Sequence, residues 1–133
     1  MDDVVYKAGI IPSVEQVIKL YISSGIKRPV NDKSRIEAMY QNSNLIISAW
    51  HDDSLVGVAR SLTDYHYSCY LSDLAVLKDW QGRGVGKMLL ANTKKSIGDS
   101  CSLVLLSSKT AMSYYEHISL KKIINGFIID RLD

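Results

Sequence analysis

The chain has 133 residues, 47% of them hydrophobic and 23% charged, with a net charge of +2. That length suits one domain, residues 1–133, with a sizeable core. Basic residues are scattered, with only short pairs such as Lys27-Arg28, Lys94-Lys95 and Lys121-Lys122 and no basic stripe, so no nucleic-acid partner is expected, and apolar runs are too short for a membrane span. Met1 is followed by Asp2-Asp3 without a leader-like run, and a cytoplasmic protein is expected. Cys69 and Cys101 form no C-x-x-C pattern and no ligand spacing with the three histidines, so free buried thiols and no metal are expected.

In chain order, Val4–Ala8 reads as a first strand. Ser13 and Gln16 have capping-box spacing, and Val14, Val17, Ile18 and Tyr21 give the following helix an apolar face. That helix ends near Gly25, and Gly25–Val30 is a loop. Asn31 or Asp32 caps a second helix running to about Gln41. Asn44–Trp50 and Leu55–Leu62 read as a hairpin about His51–Ser54. Tyr67–Leu77 is the next strand, followed by a glycine-rich loop and a helix from about Gly84 to Ile97, with Gly98 as its C-cap. Ser102–Ser107 is a short strand and Thr110–Ile118 a helix. Leu120–Ile124 and Gly126–Arg131 close the chain as two strands. The order β-α-α-β-β-β-α-β-α-β-β describes a mixed α/β domain about one central sheet.

The segment Leu71–Leu90, LSDLAVLKDWQGRGVGKMLL, carries the chemistry. A strand enters a loop in which Gln81, Gly84 and Gly86 make a Q-x-x-G-x-G spacing, with Gly82 as an extra glycine, and the loop opens into a helix. Such a turn leaves backbone N–H groups free at the positive end of the helix dipole, which suits a phosphate or pyrophosphate. A P-loop is excluded because Gly86-Lys87 is followed by Met88 rather than Ser or Thr. A dinucleotide fold would put an acidic residue about 20 positions on, where this chain has the apolar run Leu103–Leu106.

The element order and two motifs resemble the GNAT superfamily of acetyl-CoA-dependent N-acetyltransferases. Leu71–Leu90 is similar to that superfamily's fourth strand, pyrophosphate loop and third helix. Ala111–Leu120, AMSYYEHISL, is similar to its A-x-x-F-Y-E-K-x-G-F pattern, with Tyr115 on the family tyrosine and Ser119-Leu120 in place of Gly-Phe.

The resemblance implies a mostly antiparallel central sheet flanked by helices. It implies direct transfer of an acetyl group from acetyl-CoA, as cosubstrate, to a small-molecule or peptide amine. Backbone groups of Leu74, Ala75 and Val76 would hold the pantetheine arm. The N–H groups of Gln81, Gly82, Arg83, Gly84, Val85, Gly86 and Lys87 would hold the pyrophosphate, with Lys87 and Arg83 adding charge or standing in solvent. Tyr115 would protonate the departing thiolate, with Tyr114 about 100° away on the helix.

Asp73 has two readings. Some polyamine and aminoglycoside acetyltransferases carry an aspartate at this spacing, where it would bind the amine or take its proton. Alternatively it pairs with Arg60 or Lys78. Strand alternation places Asp73 with Leu71 and Ala75. Tyr70 stands where histone-type relatives carry a glutamate base. The loop Gly25–Val30 and the segment Arg60–Tyr67 would shape the acceptor site, although Arg60, Thr63, Asp64 and Tyr65 also fit a hairpin end. The family includes dimers, so a homodimer is compatible. The reading from a different class is a silent acyl-CoA-binding or sensing module.

Overall fold

A computed structural model describes residues 3–133; Met1 and Asp2, on which the leaderless start rests, lie outside the described residues. Five strands form one sheet in the order β1 (Val5–Ala8), β2 (Leu45–His51), β3 (Ser54–Thr63), β4 (Ser68–Val76) and β5 (Ser102–Val104). The first four pair antiparallel, and β4–β5 is parallel. A parallel pair cannot be joined by a hairpin. Helix α3 (Val85–Ile97) supplies the crossover.

The helices cover both faces. α1 (Val14–Ser24) begins at the expected capping box, with Ser13 and Gln16 bonding reciprocally, and ends at Gly25, whose φ of 81° is left-handed. α2 (Lys33–Gln41) is capped by the Asp32 side chain. Val17, Leu20, Tyr21, Ile36 and Tyr40 from these helices pack on Ile46, Val58 and Ala75. On the other face, Val85, Leu89 and Ile97 of α3 pack on Leu45, Ile47, Ala59 and Leu71. Gly57 lets α3 sit close, since a Cβ there would lie 2.9 Å from Leu89 Cδ1 and 3.1 Å from Val85 Cγ1.

A bulge changes the expected alternation in β4. Arg60 pairs with Asp73 but Ser61 pairs with Leu71, leaving Ser72 as an extra residue. One inserted residue exchanges the faces. Leu71 therefore belongs to the α3 side, whereas Asp73 joins Ala75 on the α1–α2 side.

The chain after β5 departs from expectation. The strand expected over Ser102–Ser107 pairs for only three residues, and a 3₁₀ turn, Lys109–Ala111, precedes α4 (Met112–His117). The strands expected at Leu120–Ile124 and Gly126–Arg131 are absent. That segment is exposed and carries no regular secondary structure, and a strand without a hydrogen-bonded neighbour is not a strand. No helix among the described residues is long and apolar enough to cross a membrane.

Candidate active site

The site is built where β4 and β5 part. β5 pairs with β4 only across Ser68–Tyr70, so from Leu71 to Val76 that edge of β4 is open. The parity of its groups is fixed at both ends. Leu77 N–H donates to Val56 O of β3, whereas Ser72 O accepts from Arg28 Nη2 and Val76 O accepts from Gln81 Nε2 at 3.0 Å. Backbone N–H and C=O of alternate strand residues point to opposite edges. Leu74 and Val76 thus face the opening as expected. Ala75 does not: its backbone turns to β3, and its side chain is 2% exposed within the α1–α2 core.

The glycine loop faces the same opening. Gly82 and Gly84 have φ of 78° and 86°, and a Cβ on either would meet nothing within 4 Å. Left-handed backbone of this kind is open to glycine at no steric cost. Met88 N–H donates to Gly84 O to begin α3, and the N–H groups of Gly84, Val85, Gly86 and Lys87 donate to no backbone partner among the described residues. Such a cradle fits an anionic diphosphate. Val85 contributes only backbone here, since its side chain is core. Gln81 fastens the loop to the strand end through its side chain, and Arg83 lies over the Trp80 ring at 4.8 Å.

The two tyrosines of α4 stand in different surroundings. It is Tyr114 whose hydroxyl meets the loop: a Cβ on Gly86 would lie 3.0 Å from Tyr114 Oη and 3.8 Å from Val76 Cγ2. Tyr115 is half-buried and edge-on to Tyr114, with ring centroids 5.3 Å apart. Burial and the neighbouring phenol raise the Tyr115 pKa, keeping its proton in place at neutral pH. Tyr114 carries no motif assignment. Only the approach of its hydroxyl to Gly86, far off in the sequence, reveals it.

Asp73 is 0% exposed and its carboxylate is fully engaged. Oδ1 accepts from Arg28 Nε at 2.6 Å and Ser72 Oγ at 3.1 Å; Oδ2 accepts from Tyr21 Oη at 2.6 Å and Arg60 Nε at 2.7 Å. Tyr21 and Tyr40 share a further 2.6 Å hydrogen bond. Burial pushes the Asp73 pKa up, but the hydrogen bond and charge of Arg60, with Arg28 and Tyr21, outweigh it and hold the carboxyl below its ordinary value. Four donors fill the lone pairs that an amine proton would need. The geometry thus matches the ion-pair reading, with Arg28 taking the place expected of Lys78. Arg28 also donates to Ser72 O, which fastens the α1–α2 loop to the β4 bulge.

Of the hairpin-end residues, Asp64 Oδ1 accepts the N–H groups of His66, Tyr67 and Ser68. These backbone donors hold the Asp64 carboxyl down to about 2. Asp64 is a turn-former, and Thr63 Oγ1 likewise bonds Ser68 O. Among the described residues no group of His, Cys, Asp and Glu is arranged to hold a metal.

Comparison with known proteins adds an independent line. A family model described as an acetyltransferase (GNAT) domain matches residues 17–125. An uncharacterized N-acetyltransferase, ycf52, of Gracilaria tenuistipitata var. liui is 26% identical over 111 residues, 79% of this chain but 56% of its own. The chain thus spans little more than half the length of that relative. In structure, a GNAT family acetyltransferase of Streptococcus pneumoniae TIGR4 superposes with a TM-score of 0.80 at 21% identity, covering 98% of this chain and 100% of its own. An aminoglycoside N-acetyltransferase solved in complex with CoA superposes at 0.73 and 14% identity, covering 98% and 96%. With the family model covering most of its length and the open β4 edge facing a glycine cradle, the chain belongs to the GNAT acetyltransferase family.

Proposed function

We propose that the protein transfers an acetyl group from acetyl-CoA directly to an amine. The observation that carries this reading is the open β4 edge, with Leu74 and Val76 facing it, set against the unpaired N–H groups at the start of α3. Leu74 aligns the pantetheine amides as a strand would, and the N–H groups of Gly84, Val85, Gly86 and Lys87 bind the pyrophosphate. Val76 N–H lies on the open edge and donates to the carbonyl oxygen as negative charge develops there. The amine nitrogen forms the new C–N bond as the C–S bond breaks. Tyr115 gives its phenolic proton to the departing sulfur, and the surplus amine proton leaves to solvent.

Asp73 has a positioning role in this reading. It orders Arg28 and, through it, the loop Gly25–Val30 beside which the acceptor enters. The carboxylate that would greet a cationic amine is occupied by two arginines, so Asp73 gives no preference for polyamines or aminoglycosides over other amines. Transfer proceeds within a ternary complex, because Cys69 and Cys101 are each 1% exposed and serve the core.

Gly84→Val tests the cradle. The substitution forces a branched residue into a φ of 86° and adds methyl groups to the open loop. The expected result is acetyl-CoA affinity reduced by at least about tenfold in calorimetric titration, the loss of one or two charge-assisted hydrogen bonds. Undiminished affinity in a folded Gly84→Val protein would remove the loop from the site.

A further inference from the structure

The opening between β4 and β5 has a closed end. Tyr70 and Val104 are the last residues that the two strands pair before they part. Leu62 of β3 stands in register beside Tyr70, so Leu62, Tyr70 and Val104 form an apolar row across three strands. Strand neighbours point to opposite faces. Cys69 and Leu71 pack toward α3, which turns the Tyr70 ring to the face that carries α1 and α2. α2 stops at Gln41, and the row is left uncovered. Leu62, Tyr70 and Val104 are 44%, 40% and 40% exposed and line a hollow of about 620 Å³.

The polar groups around this hollow are already engaged within the chain. Asn44 Nδ2 donates to Thr63 O, and Asn44 Oδ1 accepts from Thr63 N–H. Asn42 Nδ2 donates to Ala38 O. Thr63 Oγ1 donates to Ser68 O and accepts from Tyr65 N–H. Asp64 is the one carboxylate of the lining, and its Oδ1 is committed to three N–H groups of its turn. What the hollow offers a ligand is apolar surface and an aromatic face.

We infer that the acceptor is an amine carried on an apolar body, an arylalkyl or alkyl amine; this rests on the acetyl-transfer reading and names its substrate class. The ring or chain lies along Leu62, Tyr70 and Val104, and the nitrogen points to the open β4 edge. Continuity decides the occupant. The row ends where the opening begins, so a ligand on the row reaches the thioester without a second channel. Small-molecule sites are mostly apolar, with a few polar groups that fix orientation. A flat ring stacks on the exposed phenol of Tyr70. A polyamine or aminoglycoside brings several cations to a lining with one carboxylate, and a desolvated charge without a partner costs affinity. Tyr70 is then a specificity-determining wall, at the position where histone-type relatives carry a glutamate.

The test uses the full chain with acetyl-CoA and compares 2-phenylethylamine and hexylamine with spermidine and kanamycin. The kcat/KM of the two apolar amines should exceed that of the others by at least roughly tenfold. Leu62→Asn keeps the side-chain size and Val104→Thr keeps the shape, and both positions are partly exposed, so the fold should tolerate them. Each should raise the KM for 2-phenylethylamine about tenfold and leave the KM for acetyl-CoA unchanged. Calorimetric titration of 2-phenylethylamine into the chain saturated with CoA reads the hollow without turnover, and Leu62→Asn should weaken that binding by the same factor. Spermidine or kanamycin as the better acceptor, with both variants silent, would overturn the inference and leave acetyl transfer standing. Binding that Leu62→Asn weakens, with no amine acetylated, would keep the hollow as an apolar-amine site and remove the transfer reading. No binding of 2-phenylethylamine to the CoA complex would overturn the inference outright.

Discussion

Tyr115→Phe should lower turnover about 10²–10⁴-fold, the usual scale for loss of a general acid. The substitution keeps the ring and its edge-on packing against Tyr114 and removes only the hydroxyl. Melting temperature and acetyl-CoA affinity should therefore change little. Tyr114→Phe is the informative control. Its hydroxyl reaches Gly86 at the pyrophosphate cradle, so its loss should act on acetyl-CoA binding while leaving kcat nearly intact. The measurement is steady-state kinetics of both variants with one good acceptor. A Tyr115→Phe enzyme at the wild-type rate would mean that water or another donor serves the thiolate.

Asp73→Asn should destabilise the fold by about 3–5 kcal/mol, the cost of removing one partner from a buried ion pair. In a domain this size that corresponds to a melting temperature lower by roughly 10–20 °C. Two arginines and the Tyr21 hydroxyl would then face an amide that offers one acceptor oxygen and two competing donors. At low temperature, where the variant is folded, its rate should remain within a few-fold of wild type. The pH dependence has a definite sign. The Asp73 pKa is depressed in the folded state, so its contribution is present above the unfolded value of about 3.9 and lost as pH falls through the folded value. The stability gap between wild type and Asp73→Asn should thus be constant near neutrality and close in acid. A normally stable variant with abolished turnover would restore Asp73 to the chemistry.

The parts of the fold that rest on local signals were legible in the sequence. Ser13 and Gln16 announce α1, Asp32 announces α2, and the glycines at 84 and 98 bracket α3. The open edge of β4 and the cradle follow from the same segment and the family resemblance. What was not legible depends on pairing. The bulge at Ser72 has no local signature, yet it decides that Asp73 shares a face with Arg28, Tyr21 and Tyr40 rather than with Leu71. Those partners are 45 and 52 residues away for Arg28 and Tyr21, and Tyr21 and Tyr40 read in sequence only as apolar helix positions. Tyr114 was passed over because motif alignment selects its neighbour. The C-terminal strands were read from a sound local pattern, but a strand also needs an edge, and the protomer does not bring the segment to one.

Thiol release from acetyl-CoA across a panel of polyamines, amino acids, aminoglycosides and peptides decides whether the chain is an enzyme or a silent acyl-CoA-binding module. The expected result is release above the no-acceptor rate with at least one amine, matched mole for mole by N-acetylated product. Tight acetyl-CoA binding with no amine-dependent release, even at high enzyme concentration, would contradict catalysis and leave the binding module standing.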